Sequence, residues 1–214
     1  AGSSGGLVGA LAPHVPDDWT AKKQVQFDAL EMADGFWASV AMAGGVDPGY
    51  ARTGRLQPVI DETGLALARQ RGATARDLWQ GRYDWSLVPV TDFPGLLDSP
   101  TGWLVHDTLT ARLHPRRACA ALAAAITAQG GRIRAAASDG AATEVWATGV
   151  AGLNDLSRDL GRAVGNGVKG QAALLRADLR TAPQLFAEAL HIVPHADGTV
   201  AIGSTSERYY DAAD

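Results

Sequence analysis

The sequence predicts an α+β fold, mixed α/β in its element content, with helices flanking one mixed sheet. Three observations predict it. Candidate strands and helices alternate in some stretches and occur in runs in others, the pattern expected of a mixed sheet. The 214 residues are 46% hydrophobic and 20% charged, a balance that can bury a sizeable core. Near the C-terminal end, Pro194-His-Ala-Asp-Gly198 separates two apolar runs and marks a hairpin.

The elements follow in order. Val25, Phe27, Leu30, Phe36, Trp37 and Val40 return at three-to-four spacing, which predicts an amphipathic helix over Trp19 to Ala43. Asp17 or Asp18 is the expected cap at its start and Gly44-Gly45 the stop. Arg55 to Ile60 reads as a strand, with Pro58 indicating an edge position. Glu62 to Arg71 and Ala75 to Gln80 read as two short helices capped by Asp61 and Thr74. Two strands follow, Trp85 to Val90 and Trp103 to His106. Pro115 to Gln129 is the clearest helix, with Pro115 at its first position, an Ala-rich interior and Gly130-Gly131 after it. Its small side chains suit close approach to a sheet. Arg132 to Ala136 and Glu144 to Ala147 are expected strands, Leu153 to Leu160 a helix, and Val168 to Leu175 a strand. Ala189 to Val193 and Thr199 to Gly203 form the final hairpin.

Composition narrows function. Nineteen basic against 23 acidic side chains give a net charge of −4, which argues against a nucleic-acid partner. Cys119 is the single cysteine, so no internal disulfide forms and a reducing compartment is expected. No apolar run reaches the roughly 20 residues that span a bilayer, and the first residues lack the form of a secretory signal. The expected location is the cytoplasm. The chain opens on Ala1, and Ala1 to Gly6 reads either as an expression scar or as the cut edge of a longer protein; the second reading is the one adopted.

Several segments carry candidate chemistry. Gly165-Asn-Gly167-Val-Lys-Gly170 has the letters of a dinucleotide turn, but a helix precedes it and a strand follows, the reverse of what phosphate binding requires. It reads as a plain turn. Ser3 to Gly9 is a glycine-rich loop that suits either a phosphate or aromatic-ring cradle or a flexible tail. Glu144-Val-Trp-Ala147-Thr148-Gly149 suits a strand whose small end admits a cofactor, or an ordinary strand entering a turn. His191 alternates with Leu190 and Ile192, so it faces either solvent or a pocket. No histidine or cysteine spacing matches a metal site, and no serine elbow is present.

Taken in order, these fragments resemble the D-amino-acid-oxidase-like flavoproteins, the group of glycine oxidase and sarcosine oxidase. Ser4-Gly5-Gly6-Leu7-Val-Gly9 with Ala12-Pro13 resembles the family loop that passes the flavin. His114-Pro115 with its Ala-rich helix and Gly-Gly-Arg-Ile133 resembles the family's long helix and returning strand. Glu144 to Gly149 resembles its "VVxAxG" strand. Val168-Lys-Gly-Gln171, His191-Ile-Val-Pro194 and Gly198 to Thr205 resemble "VRGQ … Y-x-V-P … G-x-x-x-I-G-A-T". The family's Gly-x-Gly-x-x-Gly turn does not precede Ala1, and its Gly-x-Arg-Pro strand does not follow Asp214.

The resemblance implies a large, mainly antiparallel sheet of a substrate domain flanked by helices, with remnants of an FAD-binding domain. Residues 1–18 and 110–165 would belong to the cofactor domain, and 19–109 with 166–214 to the substrate domain. It implies FAD as cofactor in the intact parent, and an amine or amino acid as the small-molecule substrate. A hydride would pass from the substrate Cα to flavin N5, followed by imine hydrolysis. Ser4, Gly5, Gly6, Leu7, Ala147, Thr148 and Gly149 would contact the cofactor, with Leu7 where glycine oxidases often carry Met. His191 would stand where glycine oxidase has a pocket tyrosine, with Ser206 near the same pocket. The fragment alone is expected to bind FAD weakly or not at all, for want of the phosphate-binding turn. Two alternatives are the oxidase domain of a tRNA wobble-uridine-modifying enzyme and a non-catalytic α+β binding domain.

Overall fold

The fold is that of a computed structural model, in which residues 2–134 and 143–209 are described. The chain runs β1 (Ala10–Leu11), α1 (Ala21–Gly44), β2 (Arg55–Pro58), α2 (Glu62–Leu78), β3 (Trp85–Pro89), β4 (Trp103–Asp107) and β5 (Ala111–Arg112). It continues through α3 (Pro115–Ala128), α4 (Gly149–Asp159), β6 (Ala172–Arg176), β7 (Gln184–Ala187), β8 (Leu190–Pro194) and β9 (Thr199–Gly203). Seven strands form one sheet in the order β3-β4-β2-β7-β8-β9-β6, while β1 and β5 pair separately. Every neighbour in the large sheet is antiparallel except β2 and β7, which are parallel. The sheet is therefore two antiparallel halves joined at one parallel seam.

Alternation along the strands gives each face its own core. On one face Val59, Trp85 and Val105 meet Phe27 and Leu30 of α1 and Leu65 and Ala68 of α2. On the other, Leu56, Leu104 and Leu185 are covered by Phe93, Leu96 and Leu97 from the loop after β3. Small residues set the closest approaches. A Cβ on Gly72 would stand 2.8 Å from the Trp85 carbonyl oxygen, so glycine there lets α2 lie on β3. The alanines of α3 work the same way, but against α1 and not against a sheet: Ala121 and Ala125 pack on Val40.

Several expectations need correction. The two short helices are one, α2, and Thr74 lies inside it, its hydroxyl donating to the Pro16 carbonyl. The cap of α1 is Thr20, accepting from Lys23 N at 3.4 Å. Asp17 is instead drawn to two cations, Lys23 Nζ at 3.1 Å and Arg71 Nε at 2.6 Å. Pro58 is not on an edge: β2 is central, and Pro58 is tolerated because pairing with β7 covers only Arg55 and Leu56. Residues 132–134 form no strand, and 135 and 136 lie outside the described residues. Glu144 to Ala147 is irregular and turned to solvent, Val145 being 87% exposed. Helix α4 begins at Gly149, earlier than its apolar pattern indicates, and β7 was not anticipated. The turn reading of residues 165–170, the α3 boundaries and the β8–β9 hairpin agree with the structure.

One buried ion pair joins β2 to β4 beside the seam. The Arg55 Nε donates to Asp107 Oδ2 at 2.9 Å, both side chains being almost fully buried. Asp107 Oδ1 also accepts from Thr110 N at 2.8 Å, which fixes the turn after β4. Removing one partner leaves the other charge buried and uncompensated, at a cost of about 3–5 kcal/mol. Asp107→Ala is expected to lower stability by that amount in urea unfolding, whereas breaking an exposed pair such as Arg180–Asp178 should leave the midpoint nearly unchanged.

Candidate functional site

The glycine-rich loop is docked on the body of the protein at four carbonyls. Cys119 Sγ lies 3.4 Å from Ser4 O, and Arg116 Nε donates to Gly5 O at 2.9 Å. His195 Nε2 is 3.2 Å from Leu7 O, and Leu113 N donates to Gly9 O at 2.8 Å. A Cβ on Gly9 would fall 1.5 Å from the Leu113 carbonyl oxygen, so this contact requires glycine. The path of Ser4 to Gly9 is thus set by α3, β5 and the end of β8, without help from a ligand. A backbone of small residues fixed in this way can lie flat against a ring.

The second component is a line of side chains across the sheet. Asp107 on β4 holds Arg55 on β2; the Arg55 guanidinium lies 5.8 Å from the centre of the Phe186 ring on β7. Phe186 in turn stacks at 4.7 Å, tilted by 46°, on His191 of β8, its cross-strand partner. Two buried atoms near this line, Gln57 Nε2 and His191 Nδ1, have no hydrogen-bond partner among the described residues. Orphaned polar atoms of this kind are costly in a finished core and mark a place that a ligand can satisfy. Burial, and then the Arg55 charge, hold the His191 imidazole below its ordinary pKa, so it is neutral at pH 7.

Loop and line meet on one strand. His191 lies in β8 and His195 directly after it, four residues on and on the same face, about 13 Å away at roughly 3.3 Å per residue. The structure thus attaches Leu7 and His191 to a single rail. Gly203 pairs with His191, and Ser206 follows three residues later, exposed beyond the end of β9. Ser4 is exposed, while Gly5, Gly6 and Leu7 are half-buried. Ala147, Thr148 and Gly149 are not joined to this group. They line a cavity of about 950 Å³ formed by residues 146–159, to which neither Leu7 nor His191 contributes. Helix α4 has no buried residue.

Arg55, Gln57, Asp107, Phe186 and His195 were not singled out by sequence reasoning. A signal existed for two of them, since Arg55 and Gln57 alternate with Leu56 on a strand and so share a face. Phe186 was lost with β7, four residues too short to show a period.

The structure is thus a mixed sheet with a small-residue loop docked at the end of β8 and a line of polar and aromatic side chains across β4, β2, β7 and β8. The particular family is shown by comparison: the family described as DAO, FAD dependent oxidoreductase, matches residues 1–214, and the chain belongs to it. Glycine oxidase from Geobacillus kaustophilus superposes with a TM-score of 0.72 at 17% identity, covering 99% of this chain and 63% of its own. Glycine oxidase from Bacillus cereus gives 0.70 at 19%, covering 98% and 62%. Iminodiacetate oxidase from Chelativorans sp. BNC1 gives 0.67 at 17%, covering 96% and 62%. At these identities the likeness is one of fold, and the chain spans less than two thirds of each neighbour. No curated protein sequence matches the chain. No helix among the described residues is long and apolar enough to cross a membrane.

Burial is the first cause holding His106, His191 and His195 all below the ordinary 6.5. Such groups favour the folded state fully above pH 6.5, because the unfolded chain takes up their protons first as pH falls. Urea midpoints should therefore drop between neutral pH and the upper edge of the carboxylate range. Replacing His106 and His191 by Gln should flatten that part of the profile; an unchanged slope would exclude these histidines as its source.

Proposed function

We propose that this chain is the substrate-facing part of an FAD-dependent oxidoreductase that oxidises an amine or amino acid. The observation that carries the reading is the rail of β8 and the residue after it, which bears both the loop docked at Leu7 and the His191 imidazole, whose Nδ1 has no hydrogen-bond partner among the described residues. Family membership supplies the cofactor class, and the neighbours named glycine oxidase and iminodiacetate oxidase suggest a small amino-acid or amine substrate.

In this reading Ser4, Gly5, Gly6 and Leu7 present backbone to FAD, and Ala147, Thr148 and Gly149 line it from the separate segment. When bound, FAD would supply the electron sink for oxidation at the substrate Cα. The chain's own residues bind and orient. Phe186 gives a flat apolar wall, His191 Nδ1 and Gln57 Nε2 offer neutral hydrogen bonds to substrate, and Ser206 lies toward the pocket mouth. Arg55 is engaged by Asp107 and fixes Phe186, so it shapes the pocket through that ring. Residues 1–18 and 110–165 belong to the cofactor side, 19–109 and 166–214 to the substrate side.

Exposed apolar groups fit a chain that packs more polypeptide: Val150, Leu156 and Leu160 on and beside α4, and Leu174 and Leu175 on the two faces of β6. The unpaired Cys119 supports a cytoplasmic setting.

The test is to purify the longer polypeptide that contains these residues and record its visible spectrum. Flavin absorbance, with reduction on adding an amino acid or secondary amine, is expected; a colourless, flavin-free protein overturns the reading. In that enzyme His191→Ala should lower kcat/KM by about tenfold, the value of one neutral hydrogen bond, while leaving the flavin content unchanged.

A further inference from the structure

One buried titratable side chain ties down the N-terminal loop. His195 is 1% exposed, and its Nε2 faces the Leu7 carbonyl at 3.2 Å, so Nε2 carries the proton and donates. Its other nitrogen, Nδ1, is buried and has no hydrogen-bond partner among the described residues. A second proton would have to sit on Nδ1, where nothing accepts it.

The groups facing this imidazole come from three elements. His114, at the start of α3, stacks on it with ring centres 4.7 Å apart. Arg112 of β5 lies alongside, its guanidinium donating to Arg180 O at 3.0 Å and to Pro194 O. Asp197, in the β8–β9 turn, is the one acid. It is engaged by Thr199, 3.0 Å from its N and 2.6 Å from its Oγ1, and approaches His114 Nε2 at 3.7 Å. The Leu7 carbonyl and Asp197 favour a charged ring, but burial, His114 and Arg112 oppose it and prevail. The other two side-chain bonds to the loop, from Arg116 and Cys119, are solvent-exposed and substitute poorly for a buried one.

We infer that His195 is a proton-sensitive clasp: neutral, it is a positioning residue that holds the Leu7 backbone, and on protonation the ring leaves its buried seat and frees Gly6, Leu7 and Val8, while Gly5 and Gly9 stay tied to Arg116 and Leu113. The inference rests on the proposed function for its consequence, since that segment is the one assigned to the flavin. The clasp itself is independent of any cofactor.

Amide hydrogen exchange on the 214-residue chain tests it without flavin. Peptides covering residues 3–9 are compared at about pH 8 and about pH 5, corrected for intrinsic exchange, with α2 peptides as the control for global opening. Wild type should lose loop protection by about fivefold or more at the lower pH while α2 holds. His195→Gln, which keeps a donor at the Nε2 position and cannot titrate, should stay protected at both. His195→Leu should be unprotected at both. Loop protection that ignores pH in wild type, or a Gln variant that behaves like Leu, overturns the clasp. A flavin-free longer polypeptide would count against the functional reading alone and leave these results standing.

Discussion

The buried pair Arg55–Asp107 is the constraint on which the sheet depends. It sits where the antiparallel half β3-β4-β2 meets the other half across the parallel seam, and Arg55 touches both, through Asp107 on one side and Phe186 on the other. Only two residues of β2 pair with β7, so backbone bonding across the seam is sparse. Side chains must supply what the ladder lacks. Gln184, paired in register with Arg55, adds a further tie by donating its amide to Ala111 O. A buried ion pair contributes little net stability over an apolar pair of the same volume, but it tolerates only one register, because any slip strands a charge. That register sets β2 against β4, and the β7–β8 ladder beyond the seam places Phe186 and His191 beside each other.

From that register the candidate site follows. Strand β8 is fixed against β7 by Leu185–Ile192 and Phe186–His191, and its exit is fixed by Arg112 on Pro194 O. His195 therefore stands at a defined height, and the loop that docks on it inherits the placement. The chain folds a segment near residue 7 onto one near residue 195, a contact of very long range. Arg116, Leu113 and Gly9 reinforce it from the α3 side. A loop with so little secondary structure of its own is positioned by its neighbours' donors, which is why its sequence is mostly glycine and serine.

Much of the fold was legible because α1, α3 and the final hairpin announce themselves locally. Periodicity, Pro115 and the Asp-Gly turn need no tertiary knowledge. What failed was decided elsewhere in the chain. Helix α2 runs through Gly72 and Thr74 because Gly72 is the residue that lets it touch Trp85, and Thr74 finds Pro16 as partner. Glu144 to Ala147 has strand composition, but a strand needs a neighbour, and none of the described strands pairs with it. The family resemblance pointed to Leu7 and His191 through motif letters. The residues that join them, Arg55, Phe186 and His195, belong to no motif because their importance is a property of register.

The distribution of charge explains why no acid–base dyad is evident in the sequence. The half-buried and buried cations are committed to structure: Arg52 to Asp34 and the Leu30 carbonyl, Arg71 and Lys23 to Asp17, Arg55 to Asp107. What remains on the face around Phe186 is neutral, an imidazole held unprotonated and a primary amide. A neutral imidazole, a primary amide and an aromatic wall can orient a substrate and exclude water. A site of this composition is suited to chemistry whose electron transfer is carried by a cofactor, and to selecting substrates by shape and hydrogen bonding. That is the division of labour proposed above for this family, with the imidazole of His191 kept neutral by its burial and by the Arg55 charge.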